Sequence, residues 1–143
     1  MTNASVPRLL NLKGFAPWLA QGRCRALRNA AFTRVEAFAE GDTAGILAQI
    51  EPADPDGQPW TAARIEALLD GYYAEHQRIR LDPEARAAKH SRLSDDQPRR
   101  WTVEQIPVDP EELNDWFLKL AIDLDRSDAE ARPVLTLESL APL

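Results

Sequence analysis

The residues of this sequence able to do chemistry are few, and most fall in one stretch, "RRWTVEQIPVDPEELNDWFLKLAIDLD" at 99–125. Between Trp101 and Trp116 it carries Asp109, Glu111, Glu112 and Asp115. Carboxylates at that spacing can hold a cation or share a proton. A calcium loop, however, needs alternate oxygen ligands, a glycine for its sharp turn and a closing bidentate Glu. "DPEELND" has no glycine and no such register. General acid–base work needs a carboxylate whose pKa is moved by burial or by a neighbour, and a segment this polar implies solvent instead. The expectation is a polar bend between two strands, with Trp101 and Trp116 as core anchors at the strand starts.

The other candidates are scattered. His76 and His90 are the two histidines. His76 follows Tyr72 on an apolar stripe and is the one candidate base, with a hydrogen-bonded core residue as the plainer reading. His90 lies in a polar segment and carries no signal. Cys24 is the single thiol, which rules out an internal disulfide and any zinc-ribbon spacing. Trp60, Tyr72, Tyr73 and His76 are candidates to line a pocket between helix and sheet, with core packing as the competing role. No phosphate-cradling GxxxxGK[ST] or GxGxxG motif occurs. Arg25 and Arg28 on the first helix, with Arg100 before Trp101, are the candidate contacts for a partner or a nucleic acid. No catalytic constellation, cofactor motif or metal ligand set is read from the residues.

The elements that must position these groups follow from periodicity. Cys24, Leu27, Ala31, Val35 and Phe38 recur at steps of three and four, which predicts a helix over about 20–40 with one buried face. Gly41 is suited to a left-handed cap, and Asp42 or Thr43 to starting a short helix over 43–50. "EPADPDGQPW" at 51–60 is a loop. Thr61 is the N-cap of a third helix reaching about residue 78, with Ile65, Leu68, Leu69, Tyr72, His76 and Ile79 on its apolar stripe. The period then drops to two. Trp116, Leu118, Leu120, Ile122 and Leu124 alternate with Phe117, Lys119, Ala121 and Asp123 in a half-buried strand. "RSDAEA" at 126–131 is a polar turn, and "PVLTLESL" at 133–140 is the returning strand. "RRWTVEQIPV" is a further strand that Pro107 ends, bulges or confines to an edge. A weaker strand near 88–94 is the remaining option. Helices followed by an antiparallel meander give an α+β fold, with N-terminal helices on a three- to four-stranded antiparallel sheet.

The totals bound the class. The chain has 143 residues, which implies one domain, an arm over 1–19 and an α+β unit over 20–143. Apolar residues make up 44% and charged residues 28%, which is globular rather than disordered usage. No apolar run approaches the ~20 residues of a membrane span, and the first residues make a poor signal peptide. The expectation is therefore a soluble cytoplasmic protein. Net charge is −6 but uneven. Residues 1–40 hold six basic and two acidic side chains, and residues 101–143 hold three and ten. The overall sign speaks against a dedicated nucleic-acid binder.

Three segments together resemble a known family. "RALRNAAFTRVEAFA", "ALLDGYYAEHQRI" and "RRWTVEQIPVDPEELNDWFLKLAIDLDRSDAEARPVLTL" are similar to an uncharacterised C-terminal accessory domain of bacterial DEAD/DEAH-box (superfamily II) helicases, over about residues 20–140. The most specific part is a pattern formed by Arg100, Trp101, Val103, Gln105, Ile106, Asp109, Pro110, Asp115, Trp116, Asp123, Leu124, Ser127 and Asp128. There is no Walker lysine and no DEAD or DEAH tetrapeptide here, so helicase catalysis does not transfer. The resemblance implies a non-enzymatic accessory or interaction domain, standing alone, with a helicase or an RNA-bound complex as partner. "RVEAFAEGDTAGILAQI" is also similar to the opening of nuclear-transport-factor-2-like cone folds. That likeness implies the alternative, a small-molecule binder or enzyme with a pocket between the long helix and a curved sheet. A third reading is a homodimer that pairs its open sheet face through an exposed Phe117.

Overall fold

The computed structural model describes residues 16–97 and 100–143, the side chains of 16–24, 95–97, 100 and 128 excepted. Among the described residues, four α-helices and a four-stranded antiparallel sheet make an α+β fold, as the change of period requires. The helices are α1 (Ala16–Glu40), α2 (Thr43–Gln49), α3 (Ala62–Glu75) and α4 (Leu124–Glu130). The strands are β1 (Ser91–Gln97), β2 (Arg100–Gln105), β3 (Trp116–Asp123) and β4 (Leu135–Pro142), ordered β1-β2-β3-β4.

Each element forms for a local reason and is then held by burial. On α1, Leu27, Ala31, Val35 and Phe38 are buried along one stripe, joined by Phe32. Cys24, the expected start of that stripe, has its side chain outside the described residues. Gly41 ends the helix at φ +70°, its amide donating to the carbonyls of Ala37 and Phe38; a residue without a Cβ takes that conformation at no steric cost. The loop before α3 is organised by Asp54, whose Oδ1 accepts from the amides of Asp56 and Gln58. Thr61 then caps α3, its hydroxyl oxygen accepting from the Arg64 amide at 3.2 Å. Helix α3 buries Ile65, Leu69 and Tyr72 and stops at Glu75, a few residues earlier than the apolar stripe suggested. The cause is His76, whose backbone is extended (φ −133°, ψ 143°).

The sheet turns one apolar face to α1 and α3. Trp101 and Val103 of β2, Leu118, Leu120 and Ile122 of β3, and Leu135, Leu137 and Leu140 of β4 are buried there. The spacing of the last three records a bulge. Lys119 pairs with Ser139 but Leu120 pairs with Leu137, so β4 carries an extra residue, Glu138. That insertion re-phases the strand and returns Leu140 to the core side. Strand β2 ends at Gln105, before Pro107, which lacks the amide a ladder needs. Phe117 on the opposite face is half-buried, not exposed.

Two segments differ from their expected form. Residues 91–97 make a full strand, β1, despite their polar sequence. They lie at the sheet edge and pair with β2 from Ser91↔Gln105 to Ser94↔Thr102, a backbone ladder to which Leu93 adds contact with the core. The polar turn expected at 126–131 is instead part of helix α4. Asp123 caps it, accepting from the Arg126 amide at 3.0 Å, and Arg126 pairs with Glu51 and Glu130. Ser127 is buried beneath it, its hydroxyl accepting from the Val134 amide at 2.8 Å. The helix closes on Ala131 at φ +56°, ψ 37°, a left-handed position occupied by a residue with a Cβ. Replacing Ala131 with Gly removes that steric cost, partly offset by a more flexible unfolded chain, and should stabilise the fold by ~0.5–1 kcal/mol. Urea denaturation at unchanged slope checks this, and a destabilised Ala131→Gly would contradict it.

Candidate site around His76

The expected pocket residues divide into two places. Trp60 precedes α3, where its indole N–H donates to the Leu137 carbonyl at 3.0 Å and the Arg64 guanidinium covers its ring at 3.8 Å. Tyr72, Tyr73 and His76 sit at the other end of the helix, about three turns on at 1.5 Å per residue. Tyr72 is fully buried and meets Tyr73 and Trp116 edge-on, with centroids at 5.1 and 5.5 Å. Its hydroxyl donates to the Arg78 carbonyl at 3.1 Å, and the Tyr73 hydroxyl donates to the Phe38 carbonyl at 2.9 Å. Burial, and next the nearby Asp109 charge, push the Tyr72 phenol well above its ordinary pKa, so it remains a donor. These rings are therefore committed to packing and to backbone carbonyls.

The histidine that follows them is the centre of a polar cluster. The His76 side chain is 2% exposed, and its ring packs against Tyr72 at 5.1 Å. Its Nε2 lies 2.8 Å from Asp115 Oδ1. Its Nδ1 faces Asp109 Oδ2 at 3.6 Å and Glu111 Oε1 at 3.9 Å. On the next position of the chain, Glu75 Oε1 accepts from the Trp116 indole N–H at 3.1 Å. The carboxylates that read as a bend of a hairpin thus fold over the C-terminal end of α3 and surround one imidazole.

Asp109 makes that folding possible, and it is not solvated as the polarity of its segment suggested. It is 1% exposed. Its Oδ2 accepts from the amides of Glu111 and Leu113 at 3.1 and 3.2 Å, and its Oδ1 from the Asn114 amide at 2.8 Å. Glu112 and Asn114 adopt left-handed φ values of +57° and +51°, which turn those amides inward. Burial raises the Asp109 pKa, but the hydrogen bonds from backbone amides, Asn114 and Leu113 foremost, outweigh it and hold the carboxyl below its usual range. Outside the loop, Arg80 anchors it, pairing with Glu112 at 3.0 Å and donating its own amide to the Val108 carbonyl at 2.8 Å. Sequence reasoning singled out His76 and, separately, the carboxylates of Asp109, Glu111 and Asp115, but it set the carboxylates aside as a solvated bend and did not join them to His76. The signal that could have found Asp109 is the Asp-Pro step, since an Asp at a turn start accepts from amides that follow it.

The remaining nominees lie elsewhere. Arg25 is exposed on α1, and Arg28, one turn on, borders a cleft of about 110 Å³ lined also by Leu27, Ser91, Leu93 and Val103. The Arg100 side chain is outside the described residues. His90 is buried, contrary to the polarity of its segment, with Nε2 3.5 Å from Glu84 Oε2. It borders a second cleft, of about 220 Å³, with Lys89, Arg92, Glu104 and Ile106.

A family model described as a domain of unknown function (DUF3516) matches residues 20–140. The chain belongs to that family. The matched span takes in the described helices and strands almost entirely, so the family's domain is this helix-covered meander with the His76 corner inside it. No curated protein and no solved structure matches the chain. No helix among the described residues is long and apolar enough to cross a membrane.

If Asp109 is what shapes the loop, Asp109→Ala strands three amides without an acceptor and should cost ~2–3 kcal/mol. Glu112→Ala, which removes an exposed ion pair, should cost under ~1 kcal/mol. Equal losses in chemical denaturation would show that the loop does not depend on Asp109.

Proposed function

We propose that this chain is a non-enzymatic interaction domain that works beside a helicase in RNA metabolism, with the α1 surface as the contact. The observation that supports it most is the state of the arginines. Arg64, Arg80, Arg86, Arg92, Arg126 and Arg132 all have carboxylate partners within the fold. Among the described residues, Arg25 and Arg28 have no side-chain partner, Arg34 bonds only the Ala30 carbonyl and Arg78 makes no ion pair, although the chain as a whole is acidic. Arg25 and Arg28 are the two of these on one face of α1. Guanidiniums one helical turn apart and unneutralised by their own fold are suited to an anionic surface, either acidic side chains or phosphates. The likeness of residues 100–128 to helicase accessory domains points the same way, and the clustering of excess positive charge in residues 1–40 gives the contact a direction.

The test is a pull-down of the tagged chain from its native lysate, quantified by mass spectrometry with and without ribonuclease. The Arg25→Ala/Arg28→Ala/Arg100→Ala variant should recover a helicase several-fold less efficiently while melting within about 2 °C of the parent, since surface changes of this kind seldom move stability. Ribonuclease sensitivity would assign the bridge to RNA. A helicase recovered equally by both forms would remove α1 as the contact, and no helicase in either would remove the reading.

A further inference from the structure

We propose that His76 Nδ1, Asp109 Oδ2 and Glu111 Oε1 form a binding site for a divalent transition-metal ion of the zinc type, which staples the 106–115 loop to the end of α3. The opposite ring nitrogen sets the chemistry. Nε2 is 2.8 Å from Asp115 Oδ1, and an ionised carboxylate can only accept, so Nε2 holds a proton and donates it. In the neutral ring this leaves Nδ1 as a lone pair. Nδ1 is buried and has no hydrogen-bond partner, and it faces two carboxylate oxygens at 3.6 and 3.9 Å. Two of these electron-rich atoms, His76 Nδ1 and Asp109 Oδ2, are shielded from water, and with Glu111 Oε1 beside them they repel one another unless positive charge lies between them.

A proton on Nδ1 serves poorly at those distances, which exceed hydrogen-bond range. A metal ion serves well. Ligand atoms held at about 2.0–2.2 Å around a tetrahedral ion stand roughly 3.3–3.6 Å apart, and the three atoms here lie within 4.8 Å of one another. Glu111 is 70% exposed and free to close the remaining gap by rotation. One imidazole nitrogen and two carboxylate oxygens suit a borderline ion rather than calcium or magnesium, which take all-oxygen sets. The outer contacts also suit a ligand set. Asp115 fixes the ring tautomer, and the amides of Glu111 and Leu113 hold Asp109 Oδ2 in place. Water completes the fourth position, on the side where Glu111 meets solvent.

The test strips the full chain with EDTA and titrates it with zinc against a chromogenic chelator, comparing wild type, Glu111→Gln and Glu112→Gln. Wild type and Glu112→Gln should each bind one zinc per chain, with affinity about tenfold or more weaker in Glu111→Gln. Because Glu111 is exposed, its substitution leaves the fold intact. In nitrogen-15 histidine spectra, zinc should shift Nδ1 of His76 and leave His90 unmoved. Absence of stoichiometric uptake by wild type, equal affinity in Glu111→Gln, or an unshifted His76 would each overturn the site.

Discussion

A four-stranded meander with one apolar face cannot stand in water alone, and the rest of this structure follows from the need to cover it. Trp101, Val103, Leu118, Leu120, Ile122, Leu135, Leu137 and Leu140 form that face. The stripe on α1 and the inner side of α3 cover it with Leu27, Val35, Phe38, Ile65, Leu69 and Tyr72. Burial of this size is the dominant favourable contribution to such a domain. It also dictates the smaller adjustments. The extra residue in β4 exists to keep Leu140 on the covered side, and Gly41 reverses the chain so that α2 can add Ile46 to the same core.

Covering the sheet creates a difficulty at the end of α3. The helix must stop where the core stops; its last buried position is Tyr72, and the residue that caps it, His76, is a buried polar ring. The loop between β2 and β3 resolves this by bringing carboxylates to the ring. It can do so because Asp109 gathers the amides of its own loop and so fixes the loop's shape. A buried carboxylate satisfied by backbone donors is inexpensive to keep charged, and a charged carboxylate is what a buried imidazole or a bound cation requires. The two ends of the domain thus differ in kind. Trp60 and Arg64 close one with an apolar ring beneath a guanidinium, and His76 closes the other with a cluster of charge.

The proposed partner contact and the proposed ion site are compatible within this layout because they draw on different elements. Arg25 and Arg28 lie on α1, while the acidic corner joins α3 to the sheet through a loop that Arg80 ties down from outside. An ion at the corner would stiffen the loop and leave the α1 surface as it is.

The sequence by itself determined the elements whose burial has a period. Helices α1 and α3 and strands β2, β3 and β4 are written in steps of three and four or of two, because each turns one face to the core. It determined the α+β class for the same reason, and Thr61, Gly41 and Pro107 could be assigned their roles because capping and chain breaking act within a few residues. Strand β1 and helix α4 left no such trace. The first lies at a sheet edge and is held by its ladder, and the second is anchored by Ser127 and Val134 below and by Arg126 reaching Glu51. The site divides along the same line. Tyr72 and His76 were legible as neighbours on one helix stripe, but only the tertiary structure decided that Asp109, Glu111 and Asp115 close on His76. Those contacts span more than thirty positions of chain, and they depend on where the sheet sets down its loop, which no local pattern of residues records.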